Sequence, residues 1–168
     1  PPPAHPKQHT TTHGTPHVHN NDITLGMAVA HDWRLRVPVI RHADQHTLGG
    51  LANSANDLAD RARSKRLSPE EIQRGTFTVT NPGVFGSLFG TPIINQPQVG
   101  ILGIGAIEKR PVVDTDADGN DTIAIKTMCY FALTFDHRLI DGAEADSFMN
   151  HLQRTLLEES WSELDSFQ

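Results

Sequence analysis

The stretch Tyr130-Phe131-Ala132-Leu133-Thr134-Phe135-Asp136-His137-Arg138-Leu139-Ile140-Asp141-Gly142 predicts a strand, a polar turn and the start of a helix. Its first six residues alternate in character and are rich in aromatic and β-favouring side chains, which indicates a core strand. Beyond the turn, a helix over residues 143–159 that covers the sheet is predicted by apolar residues at helical spacing: Phe148, Leu152 and Leu156.

A histidine at the end of a core strand has a fixed backbone, and adjacent polar groups can fix its tautomer. His137 is therefore a candidate catalytic base. From these residues alone, a structural histidine held by local hydrogen bonds is the simpler interpretation.

The rest of the chain predicts a mixture of strands and helices. Strands are predicted at residues 23–30, 37–40, 76–80, 99–107 and 122–135. Pro38 has no backbone N–H to donate to a neighbouring strand, so the second strand is expected at an edge or a bulge. A helix capped by Thr47 is predicted by an apolar stripe at spacings of three and four: Leu48, Leu51, Ala55, Leu58 and Ala62. This order predicts an α/β or α+β fold with a sizeable mixed sheet covered by helices.

Composition excludes several classes of function. A chain of 168 residues suits one domain, and its formal net charge of −6 argues against nucleic-acid binding, which usually needs a basic face. No stretch approaches the roughly 20 apolar residues that span a bilayer, so no membrane segment is expected. The single cysteine, Cys129, excludes an internal disulfide framework and suits a reducing compartment.

Residues 1–21 are rich in proline, threonine and histidine and nearly free of large apolar side chains, so they are predicted to form a disordered arm. The folded domain is then expected over residues 22–168. Histidines in the arm fall four residues apart, but the prolines and threonines between them disfavour the helix that would align them as metal ligands: His5, His9, His13 and His17.

The acidic loop between the last two predicted strands also fails as a metal site. Asp114-x-Asp116-x-Asp118-Gly119 begins like a calcium-binding loop, but Ile125 stands where that loop needs a bidentate glutamate. The segment is therefore predicted to be a solvated hairpin, and no metal cofactor is expected.

The motif Asp136-His137-Arg138-x-x-Asp141-Gly142 resembles the active-site motif of the acyltransferase components of 2-oxo acid dehydrogenase complexes, whose fold is shared with chloramphenicol acetyltransferase. Further segments look like that family in order and spacing: residues 75–81, 91–98, 101–111 and, with less fidelity, 35–44. The resemblance covers roughly residues 23–159. It implies a chloramphenicol acetyltransferase-like α+β sandwich whose N-terminal portion is missing and replaced by the arm.

The resemblance also implies a reaction and a site. Family members transfer an acyl group between coenzyme A and a dihydrolipoyl thiol, with a histidine, here His137, as the base. An ordinary thiol and an ordinary imidazole differ by about 2 pKa units, a small cost beside the barrier that an enzyme lowers. Thr80 matches the hydroxyl that stabilises the oxyanion, and Asp141 matches an aspartate that orients the loop through an ion pair. Supporting roles at the substrate site are implied for Asn81, Asp136 and Arg138.

Assembly and partners follow from the same resemblance. Family members form trimers, in which His137 of one chain would meet Thr80 of the next, and larger cubic or dodecahedral cores. They work with 2-oxo acid decarboxylase and dihydrolipoamide dehydrogenase components, in the cytoplasm or, in eukaryotes, the mitochondrial matrix. Residues 84–95 look closest to the succinyl-transferring type, although acetyl- and branched-chain-transferring relatives share much of the pattern.

Two alternatives remain, and one segment departs from the family. Chloramphenicol acetyltransferases carry His where this chain has Asp136, which disfavours that activity. A non-catalytic core subunit of the complex would use the same fold for assembly alone. In residues 31–36, Arg36 puts a charge where a buried strand residue is expected.

Overall fold

The computed structural model describes residues 4–12, 17–31 and 34–158. The strands among them are β1 Thr10–Thr12, β2 His17–His19, β3 Leu25–Met27, β4 Val29–His31, β5 Arg34–Arg36, β6 Val39–Ile40, β7 Phe77–Thr80, β8 Gly100–Ile104, β9 Glu108–Thr115, β10 Asp121–Met128 and β11 Phe131–Phe135. The two α-helices in this part of the chain are α1 Leu48–Arg63 and α2 Gly142–Glu158, and neither is long and apolar enough to cross a membrane.

Five strands form one mixed sheet in the order β11-β8-β7-β3-β6. The three central strands, β3, β7 and β8, run parallel, and the outer strands β6 and β11 pair antiparallel to their neighbours. The predicted mixed sheet is therefore confirmed. Pro38 directly precedes the edge strand β6, as expected for a residue without a backbone N–H donor.

The helices pack where their apolar stripes predict. The Thr47 hydroxyl accepts a hydrogen bond from the Gly50 amide and caps α1, and Leu58 of that helix is buried with Ile40 and Ala43. At the other end of the sheet, three fully or almost fully buried residues form a second cluster beneath the start of α2: Val99, Ile140 and Ala145. The start of α2 and the end of the β11 turn are thus anchored in the same core.

The structure differs from the two long strands predicted at residues 99–107 and 122–135: the first is shortened to β8, and the second is divided into β10 and β11. Gly105 ends β8 and donates its amide to the Tyr130 carbonyl at 2.8 Å. Strands β9 and β10 then leave the main sheet as a separate antiparallel hairpin. Its turn is the predicted acidic one, in which the Asp116 carboxylate accepts the amides of Asp118 and Asn120. The described residues contain no group of three or more His, Cys, Asp or Glu side chains able to hold a metal.

The first predicted strand is also split. Ala28 interrupts it, and β4 pairs with β5 in a two-stranded ribbon outside the main sheet. Arg36 lies on that ribbon and is exposed. Its charge therefore occupies no buried position, which removes the conflict noted from the sequence.

The structure differs from the expectation of a disordered arm at residues 1–21. Its described residues form a 3-10 turn, Pro6–His9, and the β1–β2 hairpin. Thr10 is only 1% exposed, and the Thr12 amide bonds the Pro97 carbonyl at 2.8 Å. Counting apolar residues alone missed this order, because the segment is held by polar contacts such as that of the His9 ring with the Thr76 hydroxyl, at 2.9 Å. Residues 1–3 and 13–16, including His13, lie outside the described residues.

A stability prediction follows from the close approach at Gly105. A Cβ atom there would lie 2.0 Å from the Leu88 carbonyl oxygen, which belongs to the backbone and cannot rotate away. We expect Gly105→Ala to lower the free energy of unfolding by about 2 kcal/mol or more and the thermal midpoint accordingly. Gly90→Ala in the neighbouring loop, whose Cβ would meet only Pro82 at 3.7 Å, is the control. Equal midpoints for the two variants would contradict this.

Candidate active site

The turn that carries His137 is held by its backbone at both ends. The Asp136 amide donates to the Val99 carbonyl at 2.8 Å, and the amides of Leu139 and Ile140 both donate to the Asp136 carbonyl at 3.0 Å. Ile140 is fully buried, yet His137 is exposed. The anchored backbone therefore presents the imidazole at the surface, with its ring centroid 5.5 Å from that of Phe135.

Asp136 and Arg138 bind each other across His137. The Arg138 guanidinium donates from Nε to Oδ1 at 2.9 Å and from Nη2 to Oδ2 at 2.6 Å. These hydrogen bonds from Arg138 are the main reason why the pKa of Asp136 is lowered to about 2. The carboxylate therefore stays charged at any working pH. The Arg138 amide bonds the same carboxylate at 3.1 Å, and the pair thus shapes the turn around the histidine.

Asp141 caps α2, and its partner is Glu144. Asp141 Oδ1 accepts the Glu144 amide at 2.9 Å, and Glu144 Oε2 accepts the Asp141 amide at 3.4 Å. The resemblance implied an ion pair at Asp141. Among the described residues an ion pair forms at Glu144, whose Oε1 is 2.6 Å from Lys7 Nζ. The ion pair implied at Asp141 stays a prediction. Sequence reasoning missed both partners, although Asp141-x-x-Glu144 has the spacing of a capping box.

Thr80 is the last residue of β7 and is half-buried. Asn81 follows it, exposed, and leads into the 3-10 turn Pro82–Phe85. Within the described chain, neither the Thr80 hydroxyl nor the His137 imidazole forms a side-chain hydrogen bond. Both groups are therefore available to a ligand.

The sheet register separates Thr80 from the end of β11, which precedes His137. Thr80 is paired with Gly103 on β8, and Gly103 is paired with Ala132 on β11. Phe135 lies three residues further along and pairs with Gly100. Three residues at ~3.3 Å and two strand spacings of ~4.8 Å put the backbones of Thr80 and Phe135 about 14 Å apart. Within one chain, the end of β7 and the end of β11 therefore lie at different levels of the sheet.

The available groups fit acid–base chemistry. An exposed imidazole on an anchored turn can take a proton from a substrate, and a free hydroxyl at a strand end can donate to a developing negative charge. Asp136, Arg138 and Asp141 are occupied by contacts within the turn and its helix. They support the geometry of the turn.

Residues 4–164 match the family described as 2-oxoacid dehydrogenases acyltransferase (catalytic domain). The dihydrolipoyllysine-residue acetyltransferase component of the pyruvate dehydrogenase complex of Mycobacterium bovis is 50% identical over 134 residues, which are 80% of this chain and 24% of that protein. The succinyltransferase component of the 2-oxoglutarate dehydrogenase complex of Bacillus subtilis is 46% identical over 133 residues, 79% of this chain and 31% of that protein. The chain thus spans about a quarter to a third of the length of these relatives.

Solved structures show the same likeness. A probable dihydrolipoamide acetyltransferase from Listeria monocytogenes superposes with a TM-score of 0.85 at 35% identity, covering 93% of this chain and 64% of that one. The Azotobacter vinelandii dihydrolipoamide acetyltransferase gives 0.82 at 35% identity, covering 91% and 62%. That enzyme was studied for the catalytic roles of a serine, a histidine and an asparagine, the last two being four residues apart, as His137 and Asp141 are here. These likenesses confirm the fold class.

Proposed function

Because this chain belongs to the family of 2-oxoacid dehydrogenase acyltransferase catalytic domains, we propose that it transfers an acyl group between coenzyme A and the dihydrolipoyl group of a 2-oxo acid dehydrogenase complex. The observation that carries the proposal is the exposed His137 imidazole on a turn whose backbone is fixed by Val99 and by buried Ile140. The spacing of the histidine and the asparagine in the Azotobacter enzyme supports the same assignment.

In the proposed reaction His137 takes the proton of the attacking thiol while the sulfur bonds to the thioester carbonyl carbon. The resulting tetrahedral intermediate bears an oxyanion, to which the Thr80 hydroxyl donates a hydrogen bond. When the intermediate collapses, the original carbon–sulfur bond breaks and the departing thiolate receives the proton from His137. The histidine is thereby regenerated, so no other proton donor or acceptor is required.

The site is proposed to lie between two chains of a trimer. The register that separates Thr80 from the end of β11, which precedes His137, supports this proposal. A solved relative with a TM-score of 0.83 forms the cubic core of a pyruvate dehydrogenase complex. Decarboxylase and dihydrolipoamide dehydrogenase components are the proposed partners of such a core.

Two observations point to different acyl groups. Residues 84–95 look closest to the succinyl-transferring type, whereas the Mycobacterium bovis relative at 50% identity transfers acetyl groups. Succinyltransferase relatives reach 46% identity, which does not separate the two. We keep succinyl transfer as the first candidate and acetyl transfer as the second.

The test is a transfer assay from acyl-CoA to dihydrolipoamide, with succinyl, acetyl and isobutyryl donors compared at equal concentration. We expect one donor to exceed the others in kcat/KM by about tenfold or more, because an acyl pocket distinguishes groups that differ in size and charge. A rate on every donor no higher than that of His137→Ala would refute the enzymatic proposal and favour a structural subunit.

A further inference from the structure

The ordered N-terminal segment, residues 4–12 and 17–20, contacts two parts of the protein that adjoin the His137 turn. On one flank, the Thr12 amide bonds the Pro97 carbonyl at 2.8 Å and Thr11 bridges to Gln98. That stretch continues into Val99, whose carbonyl accepts the Asp136 amide. On the other flank, Lys7 reaches Glu144 in the first turn of α2. The same segment thus contacts the protein on both sides of the turn, at Pro97 before it and at Glu144 after it.

The second contact acts directly on the cap of α2. One oxygen of the Glu144 carboxylate faces the Asp141 amide at 3.4 Å, and the other lies 2.6 Å from Lys7 Nζ. The contact with Glu144 raises the pKa of Lys7, so the lysine stays protonated. Since Asp141 closes the turn that begins at Asp136, rotation of Glu144 would change where that turn ends and how His137 is presented.

The Lys7 segment is itself fixed to the body of the protein. The His5 ring makes edge contacts with the rings of Phe148 and His151 on α2, at centroid distances of 5.5 and 5.3 Å. The His9 ring, on the other side of Lys7, bonds the Thr76 hydroxyl beside β7. The backbone that carries Lys7 is therefore held on both sides, at His5 and at His9.

We propose that Lys7 is a positioning residue for His137, acting through Glu144 and the Asp141 cap. The inference rests on the proposed acyl transfer, in which the histidine must meet a thiol in a narrow range of geometries. The side chains of Lys7 and Glu144 are 49% and 35% exposed. Exposed ion pairs add little to folding stability, so a loss of activity without a loss of stability identifies positioning.

The experiment replaces Lys7 by methionine in the full chain and measures kcat, KM, the thermal midpoint and amide hydrogen exchange of residues 139–145. We expect kcat to fall about tenfold with KM and the midpoint little changed. Exchange at Leu139, Ile140 and Ala145, whose amides are bonded within the turn and cap, should become several-fold faster. Lys7→Arg should restore kcat to within about twofold, because it keeps the charge.

The matched control is Lys126→Met. Lys126 and Asp114 form an ion pair of the same length, 2.6 Å, with side chains 50% and 51% exposed, on the hairpin away from the turn. Glu144→Gln should reproduce the effect of Lys7→Met, and the double variant should lose no more than either single one. Wild-type kcat and exchange in Lys7→Met, or an equal loss in Lys126→Met, would overturn the proposal. A wild-type chain inactive on every donor refutes acyl transfer instead, and exchange then shows separately whether Lys7 holds the turn.

Discussion

His137→Gln should lower kcat for acyl transfer by about 10²–10⁴-fold and leave the thermal midpoint nearly unchanged. Glutamine preserves a polar side chain of similar reach but cannot accept the proton of the attacking thiol. The loss falls on kcat because the proton moves only in the transition state. The fold should tolerate the change, since His137 is exposed and makes no side-chain hydrogen bond within the described chain.

The control for this variant is His46→Gln. His46 is also exposed, and its ring nitrogen lies 3.3 Å from the Arg41 carbonyl oxygen, near the start of α1. It should retain wild-type kcat. Activity in His137→Gln within threefold of wild type would assign the base to another residue.

Thr80→Val should lower kcat by about 10²–10³-fold, the usual loss when one oxyanion donor is removed. Valine matches threonine in shape and suits the end of β7, so the half-buried position is filled without the hydroxyl. Thr80→Ser keeps a donor and should retain most of the activity. If valine and serine behave alike, the hydroxyl plays no part in the reaction.

Mixing the two inactive chains tests where the site lies. In a trimer assembled at random from equal amounts of His137→Gln and Thr80→Val, each site draws its histidine from one chain and its threonine from the next. About one quarter of the sites then hold both native residues, so about one quarter of wild-type activity should return after unfolding and reassembly. No recovery, in an assembly shown to be mixed by mass, would place both residues in one chain and contradict the register argument.

Local patterns in the sequence were sufficient for the elements around the site. Thr47 caps α1 and Pro38 precedes the edge strand β6, because capping and donor loss depend on the residue and its immediate neighbours. The strand, turn and helix around His137 were equally readable. The close approach of the Leu88 backbone to Gly105 was not, since the two residues lie 17 positions apart in the chain.

The order of the N-terminal segment could not be predicted from local patterns. Its composition predicted disorder, because it offers almost no apolar surface to offset the entropy of ordering. The structure instead holds it by hydrogen bonds to Thr76 and Pro97 and by the Lys7–Glu144 pair. Such contacts join residues that lie 67 to 137 positions apart, and no local pattern predicts them.

By itself, the sequence determined which groups the chain offers for chemistry: an imidazole in the Asp136–Gly142 motif and a hydroxyl at Thr80, each at the end of a predictable strand. Only the tertiary structure decided how those groups are placed. The parallel and antiparallel pairings of β8 set Thr80 and the end of β11, which precedes His137, at different levels of one sheet. The folding of a distant segment onto α2 set Lys7 against Glu144. The physical reason is that strand order, register and long-range ion pairs depend on how separate elements pack together, and residue spacing along the chain does not specify that packing.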